Sequence, residues 1–129
     1  MDRYRNSMTE ADLQDALAHL MQLYGYSVVH WRPGRRKQGG WVVPITYDGK
    51  GWPDLVGFHP ATGTIIAIEC KSVTGRVTPE QTDWLETMAA CGIRTFVAKP
   101  SNYHDIAETI ETLASGSPSQ LSFETGLGP

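Results

Sequence analysis

Gly51–Phe58, GWPDLVGF, and Thr64–Lys71, TIIAIECK, decide the reading of this chain. Both are short runs dominated by apolar and β-branched residues, and HPATG between them is a turn signal, so they read as neighbouring strands. In the second run Ile66, Ile68 and Cys70 alternate to one face, while Ile65, Ala67, Glu69 and Lys71 take the other. Apolar residues on both faces mark a central strand covered on each side by helices. Setting Asp54 opposite Glu69 also sets Val56 against Ala67 and Phe58 against Ile65, with His59–Thr64 as the connection. In that register Asp54, Glu69 and Lys71 point the same way at one end of the sheet. A slip of one residue would turn Asp54 to the opposite face.

Charges at the end of an apolar strand are costly unless they pair or hold an ion. Glu69 and Lys71 alone could be a same-face ion pair at a sheet edge, the commoner fate of such a pair. Asp54 in facing register shifts the balance, because two adjacent carboxylates repel and a divalent cation relieves them. Oxygen ligands with a partly hydrated shell suit Mg²⁺ or Mn²⁺ rather than zinc. Lys71 could then orient or activate a water and offset charge growing on a phosphoryl group.

Working outward, Thr9 is a helix cap with Asp12 in an imperfect capping box. Leu13, Leu17, Leu20 and Tyr24 follow at helical spacing up to Gly25. Tyr26–Arg32 reads as a first strand, Pro33–Gly40 as a basic loop, and Trp41–Tyr47 as an edge strand because of Pro44. Thr78-Pro79-Glu80-Gln81 starts a helix carrying Trp84, Leu85 and Met88, closed at Gly92. Ile93–Ala98 is a strand, and Ile106, Ile110 and Leu113 mark a last helix over Asn102–Leu113. The order α-β-(β)-β-β-α-β-α predicts a small α/β sandwich. The expected division is a loose arm over 1–8, one domain over 9–114 and a turn-rich tail over 115–129.

With 129 residues, 40% hydrophobic and 19% charged, the chain suits a single globular domain with its own core. No apolar run approaches the ~20 residues that span a bilayer, and MDRYRNSMTE lacks a secretory h-region. Membrane association and secretion are therefore not expected. Cys70 and Cys91 make no disulfide framework, and no CxxC or HxxxH pair suggests zinc. Both cysteines read as buried apolar residues. The expected location is the cytoplasm of a bacterial or phage-infected cell. A net charge of −3 argues against a protein that coats nucleic acid, though not against one that grips a few phosphates.

Pro53-Asp54 followed by Glu69-Cys70-Lys71 resembles the PD-(D/E)XK nuclease superfamily. The wider pattern is Thr9-Glu10 with Gln14, GWPDLV, IECK, TPEQTDW at Thr78–Trp84, and Cys91-Gly92 before a last strand. It is similar to the VRR-NUC (virus-type replication-repair nuclease) subfamily over about Glu10 to Leu113. The resemblance implies a restriction-endonuclease-like mixed sheet flanked by helices and metal-dependent cleavage of DNA phosphodiesters. It implies Asp54, Glu69, the Cys70 carbonyl and Glu10 as metal ligands, Lys71 positioning the attacking water, and Gln81 supporting the site. Bulky Trp52 and the long segment WVVPITYDGK depart from the family pattern. Simpler roles compete. A Thr-x-x-Gln capping box would occupy Gln81, on the expectation that one side chain serves only one role well. Glu10 could merely favour the helix dipole, with Gln14 on the same solvated stripe, and His30 would be structural.

Arg32, Arg35, Arg36 and Lys37 lie in WRPGRRKQGGW, with Lys50 nearby. In an otherwise acidic chain, flanked by Trp31 and Trp41, they read as phosphate contacts. No helix-turn-helix or zinc finger is present, so specificity would come from DNA shape, as at a Holliday junction or flap. Cutting two symmetry-related strands takes two active sites, which predicts a C2 homodimer. No small-molecule cofactor is expected. A non-catalytic nucleic-acid-binding module and a restriction-type endonuclease are the competing classes.

Overall fold

The computed structural model describes residues 8–31, 34–35, 41–42 and 48–116, with the backbone alone for 34, 35, 41 and 42. Helix α1 (Glu10–Leu23) starts at a complete capping box. The Thr9 hydroxyl accepts from the Asp12 N–H and the Asp12 carboxylate accepts from the Thr9 N–H, both at 3.0 Å. Aspartate thus closes the box fully at N3. Leu13, Leu17 and Met21 are the buried stripe, while Leu20 and Tyr24 flank it half-buried. Gly25, at φ 93°, turns the chain into β1 (Ser27–His30).

Strands β2 (Gly34–Arg35) and β3 (Trp41–Val42) pair with each other in a small two-stranded sheet. The strand expected over Trp41–Tyr47 thus begins at Trp41, and β2 falls inside the stretch expected to be loop. Residues 43–47, residues 1–7 of the arm expected over 1–8 and residues 117–129 of the tail expected over 115–129 lie outside the described residues.

The main sheet has the order β1-β4-β5-β6, with β4 (Leu55–His59), β5 (Thr64–Cys70) and β6 (Arg94–Ala98). The first two pairings are antiparallel and β5–β6 is parallel. A parallel pair needs a crossover, and α2 (Pro79–Ala90) supplies it. A 3-10 turn (Pro100–Asn102) then leads into α3 (Tyr103–Ala114). This is a mixed α/β domain consistent with the restriction-endonuclease-like architecture.

The alternation of β5 builds two cores. Ile66, Ile68 and Cys70 join Leu55, Ala98 and the inner stripes of α1 and α3. On the other face Val56 and Ala67 meet Met88 of α2, with Trp52, Trp84, Ile65 and Ile93 around them. Each fully buried leucine or isoleucine contributes about 1.5–3 kcal/mol, so the α1/α3 side holds most of the stability. At Gly57 a Cβ would collide with the end of the Met21 side chain, so glycine lets α1 lie on the sheet. The cysteines divide: Cys70 is buried, but Cys91 caps the end of α2 and is exposed, contrary to the expectation of burial.

Candidate active site

The register of β4 on β5 is Leu55↔Ile68, Val56↔Ala67 and Phe58↔Ile65, as the side-chain pattern required. Pairing continues to His59↔Thr64, which shortens the connection to residues 60–63. Asp54 sits one residue before β4. Its carbonyl accepts from the Trp31 N–H at 2.8 Å, so the backbone is held by the β1 side. Its Oδ2 accepts from the Cys70 N–H at 2.8 Å, so the carboxylate continues the ladder where the β4 backbone has ended.

Glu69 is only 2% exposed. Its Oε2 accepts from Gln81 Nε2 at 3.0 Å and lies 3.3 Å from Lys71 Nζ. Its Oε1 is buried with no hydrogen-bond partner among the described residues. Burial raises the Glu69 pKa to about 8, and the neighbouring Asp54 charge adds to the rise while Lys71 opposes it. The same burial and the charges of Asp54, Glu69 and Glu10 hold the Cys70 thiol far above its ordinary range. Two facing acids, Glu69 buried and Asp54 half-buried, favour either a proton or a cation between them.

Gln81 is tied at both ends. Its Oε1 accepts from the Thr78 N–H at 2.9 Å, and the Thr78 hydroxyl accepts from the Gln81 N–H at 3.2 Å, closing the capping box. Its amide nitrogen donates to Glu69. Capping and site support were set as alternatives in the sequence, but a carboxamide has an acceptor and a donor on separate atoms. Both roles are filled at once.

Residues 48–53 fix the start of α2. Gly51 has φ 89°, and a Cβ there would lie 2.6 Å from the Glu80 backbone carbon. Trp84 Nε1 donates to the Asp48 carbonyl at 2.8 Å, and the Trp52 and Trp84 rings meet edge to face at 5.0 Å. The bulk of Trp52 therefore has a structural use against α2. Its indole N–H is buried without a partner among the described residues.

Glu10 opens α1 at the same end of the sheet. Its Oε2 lies 3.3 Å from where a Cβ on Gly75 would stand, so glycine permits that approach. Among the described residues no group of three or more His, Cys, Asp or Glu side chains is gathered as a metal site. Glu10 is thus near the Asp54–Glu69 pair without completing a triad. Gln14, expected on a solvated stripe, is instead buried and shares a 2.8 Å hydrogen bond with His30 Nε2. The partner across α1 and β1 explains its burial.

Lys50 is exposed and 3.7 Å from Glu80 Oε2, a pair worth little in solvent. Arg32, Arg36 and Lys37 fall outside the described residues, and of Arg35 the backbone alone is described, in β2.

Residues 45–102 match the family model of the VRR-NUC domain. No curated protein and no solved structure matches the chain. The matched stretch contains Asp54, Glu69, Cys70, Lys71 and Gln81 and leaves Glu10 and the 32–37 segment outside. Both facing acids, the lysine and the glutamine fall inside the stretch that is similar to the VRR-NUC domain, a domain of nuclease type.

Proposed function

We propose that this protein is a divalent-metal-dependent endonuclease that hydrolyses DNA phosphodiester bonds and selects branched structure rather than base sequence. The observation that carries the reading is the unpartnered, buried Oε1 of Glu69 beside Asp54, with Lys71 on the other oxygen. A buried acceptor without a donor costs roughly 1–3 kcal/mol, and a cation removes that cost. The donor set, all oxygen, suits Mg²⁺ or Mn²⁺. Asp54 and Glu69 would hold the ion, with the Cys70 carbonyl, and Glu10, which does not close a triad with them, would reach it through water. When bound, such an ion supplies Lewis acidity toward the phosphodiester.

The chain's own residues do the rest. Gln81 holds Glu69 Oε2, so the free Oε1 stays presented. The Cys70 N–H fixes Asp54 Oδ2 in the same way. Lys71, 8% exposed, keeps its ammonium at the acids, where it can orient the attacking water and offset charge on the phosphoryl oxygens. In-line attack of that water on phosphorus breaks the bond to the 3′ oxygen and leaves a 5′-phosphate and a 3′-hydroxyl. We place the activity in replication, recombination or repair in a bacterial or phage-infected cytoplasm. A C2 homodimer would supply the two sites that cutting paired strands needs.

The test is cleavage of a panel of duplex, flap, fork and four-way junction, each with EDTA, Mg²⁺ or Mn²⁺, by wild type and Lys71→Ala. Cutting of branched DNA by wild type with metal, lost in Lys71→Ala, is expected. Binding without cutting by either would instead make this a nucleic-acid-binding module. A defined cut in plain duplex would make it a restriction-type enzyme. Sedimentation showing only monomer at micromolar protein would remove the dimer.

A further inference from the structure

The loop that follows Lys71 walls a cleft of about 560 Å³, formed by Val73–Val77 on one side and Lys99 on the other. The cleft begins two residues after Lys71 in the chain. Strands β5 and β6 run parallel with Cys70 beside Ala98, and the Lys71 N–H donates to the Ala98 carbonyl at 2.9 Å. Lys99 is the next residue, so Lys71 and Lys99 leave the ends of neighbouring strands together. Gly75 lines the cleft and also faces the Glu10 carboxylate, so the two spaces share a wall.

The charges there are unlike those elsewhere. Lys50 pairs with Glu80, Lys71 pairs with Glu69, and Arg94 lines a groove with Asp105 and Glu108. Arg76 and Lys99 have no acidic partner among the described residues. Both lie on this one cleft, in a chain of net charge −3. A guanidinium and an ammonium on the rim of an open cleft suit a ligand with successive, fully ionised oxyanions.

We propose that Arg76 and Lys99 bind backbone phosphates of the nucleic acid flanking the phosphodiester held at Asp54, Glu69 and Lys71. The inference rests on the nuclease reading for what occupies the neighbouring site, but the binding it describes does not depend on cleavage. Arg76 and Lys99 then set where the strand lies, separately from the groups that act on the reacting bond.

The experiment measures anisotropy of a short fluorescein-labelled DNA duplex in EDTA, so that no strand is cut, across a series of KCl concentrations. Wild type is compared with Arg76→Gln, Lys99→Gln and Arg94→Gln. Arg94, at the far end of β6 beside Ile66, controls for the change in net charge. Melting curves establish that each variant is folded. Arg76→Gln and Lys99→Gln are each expected to weaken binding several-fold and to flatten the plot of log affinity against log salt by about 0.9. Arg94→Gln should leave both unchanged. Slopes and affinities at Arg76 and Lys99 equal to wild type would overturn the proposal, as would an equal loss in all three variants. A parallel cleavage assay with Mg²⁺ separates the two readings. Wild type that cuts while the variants bind normally sinks only the cleft; wild type that never cuts while the two variants bind weakly sinks only the nuclease.

Discussion

Glu69 concentrates the tension of the site in one side chain. It is buried, faces a second acid, and has one oxygen without a donor. Its pKa is raised from 4.5 to about 8, so between those values the folded protein holds a proton that the unfolded chain has released. Stability therefore falls as pH rises through that window, since the native state binds the extra proton. In EDTA the Tm of wild type should decline from pH 5 to pH 8, and Glu69→Gln, neutral throughout, should show a flatter decline. Mg²⁺ or Mn²⁺ at pH 8 should raise the Tm of wild type and leave that of Glu69→Gln nearly unchanged, because the ion takes the proton's place. A wild-type Tm indifferent to pH and metal, measured by calorimetry, would mean that Glu69 carries no such strain. The acids and the lysine were legible in sequence through period-two alternation. The free oxygen was not, because satisfaction of a polar atom depends on every neighbour.

Helix α2 is the element that turns a strand end into a site. Its capping box and its grip on Glu69 pass through the same glutamine, and the Thr78 hydroxyl serves the cap alone. Thr78→Ala should cost about 1 kcal/mol in urea unfolding and leave metal-dependent cutting near wild type. Gln81→Ala should cost a similar amount and also lower the rate by roughly 10–100-fold, as for other residues that orient a ligand. Equal rates in the two variants would reduce Gln81 to a cap. Gly51 fixes where the helix begins: alanine there meets both the positive φ and the Glu80 backbone. Gly51→Ala should destabilise by roughly 1–3 kcal/mol and slow cutting as Gln81 is displaced; unchanged melting would show that the 48–53 segment yields freely. The helix, its cap and its stripe could be read from spacing. The Gly51–Glu80 approach and the Trp84–Asp48 bond join positions 29 and 36 residues apart and leave no local mark.

For the molecule as a whole, the larger core and the Glu69–Lys71–Gln81 cluster lie on opposite faces of one sheet. The α1/α3 core is tied by the Tyr26 hydroxyl, which donates to the Ile110 carbonyl at 2.9 Å, with burial raising the tyrosine pKa to about 12. Tyr26→Phe should cost about 1–2 kcal/mol by urea unfolding, because the carbonyl loses its donor in a buried place. The cleavage rate below the melting transition should not change, since the bond lies on the face away from α2. A rate that falls with this variant would show the two layers to be coupled.

By itself the sequence determined the order of the three helices and of the four strands of the main sheet, the register of β4 on β5 and the side of the sheet that carries Asp54, Glu69 and Lys71. These follow from periodicity, turn residues and caps, all of which act between near neighbours along the chain. Only the tertiary structure decided that Gln81 serves cap and site together, that Gln14 is buried on His30, that Cys91 is exposed, and that Arg76 and Lys99 share a cleft. Burial and pairing are set by what packs from distant segments, and a one-dimensional pattern carries no record of which side chains will meet.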